Sequence, residues 1–152
     1  MMHEKALGLL GISQKGGNIE LGEEPVGAVA RAGKARLIIL ASDAAGHTVR
    51  RAQSFAALHS SPVAVIDADK DALGAVFGRT SVAMAALTDV FLAQRFLETL
   101  GEPERYQEQL TAVKEKAAAM KQRQSEKRRA QRKKGKREIS IWRWLYEQFR
   151  EI

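Results

Sequence analysis

The 152-residue chain has no cysteine, only three prolines and three histidines, and aromatic side chains make up just 6% of it. Missing thiols exclude a disulfide scaffold, thiolate metal centres and cysteine nucleophiles; they fit a reducing compartment, and a cytoplasmic location is expected. No apolar run approaches the roughly 20 residues that a membrane-spanning helix requires. The opening Met-Met-His-Glu-Lys leads into an interrupted apolar segment, so a signal peptide is not expected. The scarce histidines, His3, His47 and His59, lack the spacing of four that sets two metal ligands on one helix face. No metal site and no cofactor are expected.

What the chain does have is unevenly placed positive charge. Its formal net charge is +7, yet residues 1–101 carry ten Lys/Arg and ten Asp/Glu, while residues 102–152 carry fifteen and eight. Within 121–137 ten cations stand against the single acid Glu126. A neutral body is joined to a basic tail, and such a tail suits a polyanion unless it is only a solvated, solubilising helix.

Apolar spacing across 4–14 fits a short buried helix that Gly16-Gly17 ends. Asn18 to Leu21 alternates like a short strand. Gly22-Glu23-Glu24-Pro25 then opens a second helix, with two carboxylates at its positive end, and Gly33 stops it. Leu37 to Ala41 is a continuous apolar run, the pattern of a strand buried on both faces. Ser42-Asp43 is expected to cap a third helix to about Leu58, and Pro62 to Ile66 to form a third buried strand. A short helix capped by Asp67 or Asp69 ends at Gly78; residues 81–87 read as a fourth strand and Thr88-Asp89 as the start of a fifth helix. This alternation predicts an α/β fold, a mixed or parallel sheet with helices on both faces. Gly101 and Pro103 mark the expected boundary of a domain over 1–101. A basic helical extension over 102–138 follows it, with Tyr106, Leu110, Val113, Ala117 and Met120 as a narrow apolar stripe at steps of four and three and a break at Gly135. An amphipathic terminal helix over 139–152 then carries Ile139, Ile141, Trp142, Leu145, Phe149 and Ile152, with Trp144 and Tyr146 flanking.

No catalytic constellation emerges, and no enzyme activity is expected. Gly27 to Lys34 imitates a phosphate loop, but its spacing is one residue too long, Ala35 replaces the hydroxyl, and it runs from helix to strand. Asp43 and His47 have no serine in a nucleophile turn to serve. Asp67, Asp69 and Asp71 make half a calcium loop whose glycine and glutamate are misplaced.

One ordered set of motifs is distinctive. Gly17-Asn-Ile-Glu-Leu-Gly22, Gly33-Lys-Ala-Arg-Leu-Ile-Ile-Leu-Ala-Ser-Asp43, Leu73-Gly74-x-x-x-Gly78 and the apolar strand 82–87 follow one another at fixed spacing. In that order they resemble the kink-turn RNA-binding family of ribosomal proteins, which includes large-subunit proteins seven-Ae and thirty-e and small bacterial paralogues. The resemblance covers about residues 4–100. It implies a three-layer α/β/α sandwich with a four-stranded mixed sheet, and recognition of sharply bent RNA, ribosomal RNA above all, without catalysis. It places Gly22, Glu23 and Glu24 at the RNA, together with the loops 44–48 and 79–82, the latter beginning at Arg79. Glu24, Pro25 and Ala28 stand where the family usually carries Lys or Asn, Gln or Glu, and Lys.

The physics agrees with that placement, because unpaired helix N–H groups attract phosphate and unstacked bases are read by side chains. Lys15, Arg31 and Lys34 are assigned to the same end as further contacts. The tail cations Lys127, Arg128, Arg129, Arg132, Lys133, Lys134, Lys136 and Arg137 are expected to neutralise phosphate in a sequence-tolerant, salt-sensitive way. The terminal helix is left three destinations: the body, a protein or ribosomal groove, or an anionic membrane, the last disfavoured. Two rival readings are a protein-interaction module of the same fold, suited by Glu24 to a basic partner, and a recognition fragment of an RNA-modifying enzyme, which needs a catalytic domain the chain lacks.

Overall fold

The computed structural model describes residues 4–150; His3 and Ile152 lie outside the described residues. Ten elements follow in order: α1 (Glu4–Lys15), β1 (Ile19–Leu21), α2 (Glu23–Arg31), β2 (Leu37–Leu40), α3 (Gly46–His59), β3 (Val63–Val65), α4 (Lys70–Val76), β4 (Met84–Leu87), α5 (Val90–Thr99) and α6 (Gln107–Phe149). The four strands form one mixed sheet in the order β1-β4-β2-β3. β4 runs antiparallel to both neighbours, and β2 and β3 run parallel.

The two central strands, β2 and β4, are buried at every position, as their unbroken apolar runs require of strands covered on both faces. Ile38, Leu40, Met84 and Ala86 pack with Val26 and Ala30 of α2 and Ala52, Phe55 and Ala56 of α3. Side chains alternate along a strand, so Leu37, Ile39 and Leu87 face the opposite layer, where Leu10 of α1 and Phe96 and Leu97 of α5 are buried. The architecture is therefore the expected α/β/α sandwich.

Local signals differ at two places. α3 starts at Gly46, because Asp43 is taken by another partner: its Oδ1 accepts from the Lys70 N–H at 2.8 Å, tying the loop after β2 to the start of α4. β4 begins at Met84 rather than 81, since residues 81–83 are spent closing the turn onto α4, with the Val82 N–H donated to the Lys70 carbonyl. Asp69 and Asp89 cap α4 and α5 as the sequence suggests, each accepting backbone N–H groups.

The body does not end at 101. The first compact unit closes at Ala117 and the second comprises the rest of the chain. β3 is not the fully buried strand expected: it is an edge strand with Val65 exposed, and the turn before α6 and its first turns lie along it. Tyr106 Oη donates to the Val65 carbonyl at 2.8 Å, Arg105 Nη2 to the same oxygen at 3.2 Å, and Gln109 Nε2 to the Val63 carbonyl at 2.8 Å. Val113 and Ala117 are buried with Tyr106. Side chains thus occupy acceptors that an exposed edge offers to another strand. The apolar steps Tyr106, Leu110, Val113 and Ala117 are the inner face of this covering segment. In the second unit α6 continues through Gly135 to Phe149; the expected break and the separate terminal helix merge into one element, for Gly135 does not take a positive φ. Among the described residues no helix is long and apolar enough to cross a membrane.

Candidate nucleic-acid interface

Strand register defines two ends of the body. Leu21 pairs with Ala85 and Leu40 with Met84 at one end, whereas Ile19 and Leu37 both pair with Leu87 at the other. Gly22 lies at the first end, its N–H donated to the Met84 carbonyl at 2.9 Å. Its φ of 92° turns the chain sharply from β1 into α2, a conformation that glycine adopts without the Cβ penalty other residues meet.

Among the described residues no side chain caps α2. First-turn N–H groups of a helix have no intrahelical acceptor; Pro25 supplies none, so the Glu23 and Glu24 amides remain. The two carboxylates have different surroundings. Glu23 is held against α3: Thr48 Oγ1 donates to its Oε1 at 3.3 Å, and Arg51 Nε lies 3.4 Å from its Oε2. The Arg51 guanidinium in turn sits 5.7 Å from the Phe55 ring centroid. Glu24 is exposed and forms no ion pair among the described residues. The tip of α2 therefore presents two amides and one unneutralised carboxylate.

Arg79 follows α4 in the loop that leads into β4, at the Gly22 end. Lys15, Arg31 and Lys34 do not join it. Lys15 closes α1 just before the Ile19 end of β1, and Lys34 precedes β2, its N–H bonded to the Val29 carbonyl. Arg31 closes α2, with its carbonyl oxygen 3.3 Å from His59 Nε2. These three cations occupy the opposite end, because α1 and α2 both point their C-termini there. The predicted cluster is thus divided: Gly22, Glu23, Glu24 and Arg79 at one end, Lys15, Arg31 and Lys34 at the other.

Sequence reasoning missed Thr48 and Arg51 as partners of Glu23. The signal was absent, since they are 25 and 28 residues away along the chain and meet it only through the packing of α2 on α3.

In the second unit Lys127, Arg128, Arg129, Arg132, Lys133, Lys134, Lys136 and Arg137 are all exposed. At 3.6 residues per turn they are distributed around the whole helix, so no single stripe gathers them. Ile139, Ile141, Trp142, Trp144, Tyr146 and Phe149 are also exposed. Trp142, Leu145, Tyr146 and Phe149 line a shallow apolar groove along one side.

No protein-family model matches the sequence, and no curated protein does. Solved structures share its fold. A protein of unknown function from Bacillus halodurans is 26% identical, with a TM-score of 0.60 over 66% of this chain and 100% of its own. The 15.5 kD RNA-binding protein of Giardia lamblia is 22% identical, with a TM-score of 0.51 over 67% of this chain and 90% of its own.

Proposed function

We propose that this chain is a non-catalytic RNA-binding protein, taking a sharply bent RNA at the Gly22 end of its body while the basic helix of the second unit adds sequence-tolerant attraction. The observation that carries this reading is the uncapped start of α2 at Gly22, where backbone N–H groups and the positive helix end suit a phosphate. The fold shared with the Giardia RNA-binding protein supports it. So does the capture of Glu23 by Thr48 and Arg51, which draws one carboxylate away from an incoming backbone. Kink-turn RNA, within ribosomal RNA, is the proposed target, and a cytoplasmic location follows from it.

A second reading has its own observation. Glu24 is exposed at the tip, where a carboxylate repels phosphate and favours a basic protein surface. Titration of the full chain with a labelled kink-turn RNA and with the same RNA carrying a bend-abolishing substitution separates the two. Preferential binding of the bent form, weakened by Gly22→Val, is the expected outcome. Equal binding of both forms reduces the interaction to electrostatics, and no binding of either leaves the protein-interaction module.

A further inference from the structure

The end of α6 holds its aromatic rings open to solvent. Trp142 is 71% exposed, Trp144 59%, Tyr146 67% and Phe149 66%. Trp142, Leu145, Tyr146 and Phe149 come within about 60° of one direction around the helix, and with Arg150 they line the shallow groove. Trp144 points about 160° away from Trp142. Arg143 and Arg150, both exposed, are interleaved with these rings, and the exposed cations of 121–137 precede them on the same helix.

These features discriminate between occupants. The stripe from Trp142 to Phe149 spans about two turns, short of the three or four heptads that a coiled coil wants, so a second copy of the chain gains little from it. A flat anionic bilayer meets every charge on one side of a helix at once, and Glu138, one turn before Trp142, stands in the stripe. A protein groove encloses a single face and leaves Trp144 and the neighbouring cations without a role. A flexible single strand of nucleic acid uses all of them. Its phosphates meet cations placed around the whole helix, and its unpaired bases stack on separate rings that need not share a side.

We infer that the aromatic end of α6 is a stacking platform for the unpaired bases of a single strand. Trp142, Tyr146 and Phe149 take bases along the stripe and Trp144 takes one on the far side, while Arg143, Arg150 and the cationic run hold the phosphates. Stacking of this kind tolerates any sequence, because every base has a π face. The inference rests on the RNA-binding reading for the class of its ligand, but it uses unpaired strand where that reading uses a bend.

The test uses the full chain, whose tryptophan emission arises wholly from this segment, since Trp142 and Trp144 are its two tryptophans. The probes are an oligouridylate of about ten nucleotides, within the site sizes of such platforms, and an abasic oligomer of equal length that carries the phosphates alone. Oligouridylate is expected to quench the emission saturably and to bind at least about fivefold tighter than the abasic oligomer. Trp142→Leu and Tyr146→Leu/Phe149→Leu keep the stripe apolar and remove rings. Each lost stack is expected to weaken oligouridylate binding at least about fivefold, with the salt slope unchanged because no cation is removed. The native arm stands without these variants if they do not fold. Equal affinity for the two oligomers, or leucine variants that bind as the native chain does, overturns the platform. Preferential binding of bent RNA without any response to oligouridylate overturns it too and leaves the RNA reading intact. Oligouridylate bound through the rings, in a protein that does not distinguish bent from straight RNA, keeps the platform and removes recognition of the bend. A blue-shifted emission with phosphatidylglycerol vesicles, or concentration-dependent self-association, in a chain that ignores oligouridylate assigns the stripe to a bilayer or to a second copy and overturns the inference.

Discussion

A methyl group on Gly74 would lie 2.8 Å from both the carbonyl oxygen of Arg79 and the amide nitrogen of Ser81. Both contacts are backbone, so neither can swing aside as a side chain does. The loop carrying Arg79 must move instead. Gly74→Ala is expected to destabilise the protein by about 1–3 kcal/mol, read by denaturant unfolding, and to shift amide resonances of residues 79–83. The Gly74-x-x-x-Gly78 spacing was visible in the sequence, and so was a cap at Asp67 or Asp69, of which Asp69 takes the place, its Oδ1 accepting from the Ala72 N–H at 2.7 Å. Local geometry fixes both. Asp43 misled for a related reason: a carboxylate beside a helix start suits that helix, yet its actual donor, Lys70, stands 27 residues away. The hold of Thr48 and Arg51 on Glu23 was hidden for the same reason, because spacing along one segment carries no information about which helix packs beside it.

At the scale of elements, the strands and five body helices were legible because β2 and β4 are central and their apolar runs are unbroken. The reach of the body was not. Tyr106, Val113 and Ala117 looked like a narrow stripe of a detached helix, and only the sheet order, with β3 at its edge, explains why they are buried. Tyr106 is the anchor of that arrangement. Burial is the main cause that pushes its phenol above the ordinary value of 10.0, and its O–H is donated to the Val65 carbonyl. Tyr106→Phe is expected to cost about 1 kcal/mol. A raised folded-state value favours the neutral phenol, so this contribution is present in full below pH 10 and fades as pH rises through the folded-state value. Unfolding of the two proteins across pH 8–11 should therefore show a gap that narrows at the alkaline end; a constant gap would deny Tyr106 this role.

Considered as a whole, the proposed RNA binding divides attraction from shape. The basic helix has exposed cations around its circumference, which suits phosphates arriving from several sides and specifies no base. Replacing the eight cations from Lys127 to Arg137 with glutamine is expected to lower the salt slope of RNA binding by about 6 if each meets one phosphate. The ratio between bent and straight RNA should be preserved. Collapse of that ratio would assign shape selection to the tail.

The two ends of the sheet give a body of balanced charge a lasting electrical asymmetry. Glu24, Asp67 and Asp71 belong to the Gly22 end with the cations Lys70 and Arg79, and Lys15, Arg31 and Lys34 to the other with Asp89. Near a polyanion such a particle experiences a torque even where it feels little net pull. It should first meet the strand with its Lys34 side and turn over before the Gly22 end engages the bend. Added salt shortens the range of this aiming to about 10 Å at 0.1 M, so the orientation of first encounter, and not merely its frequency, becomes a property of the solution.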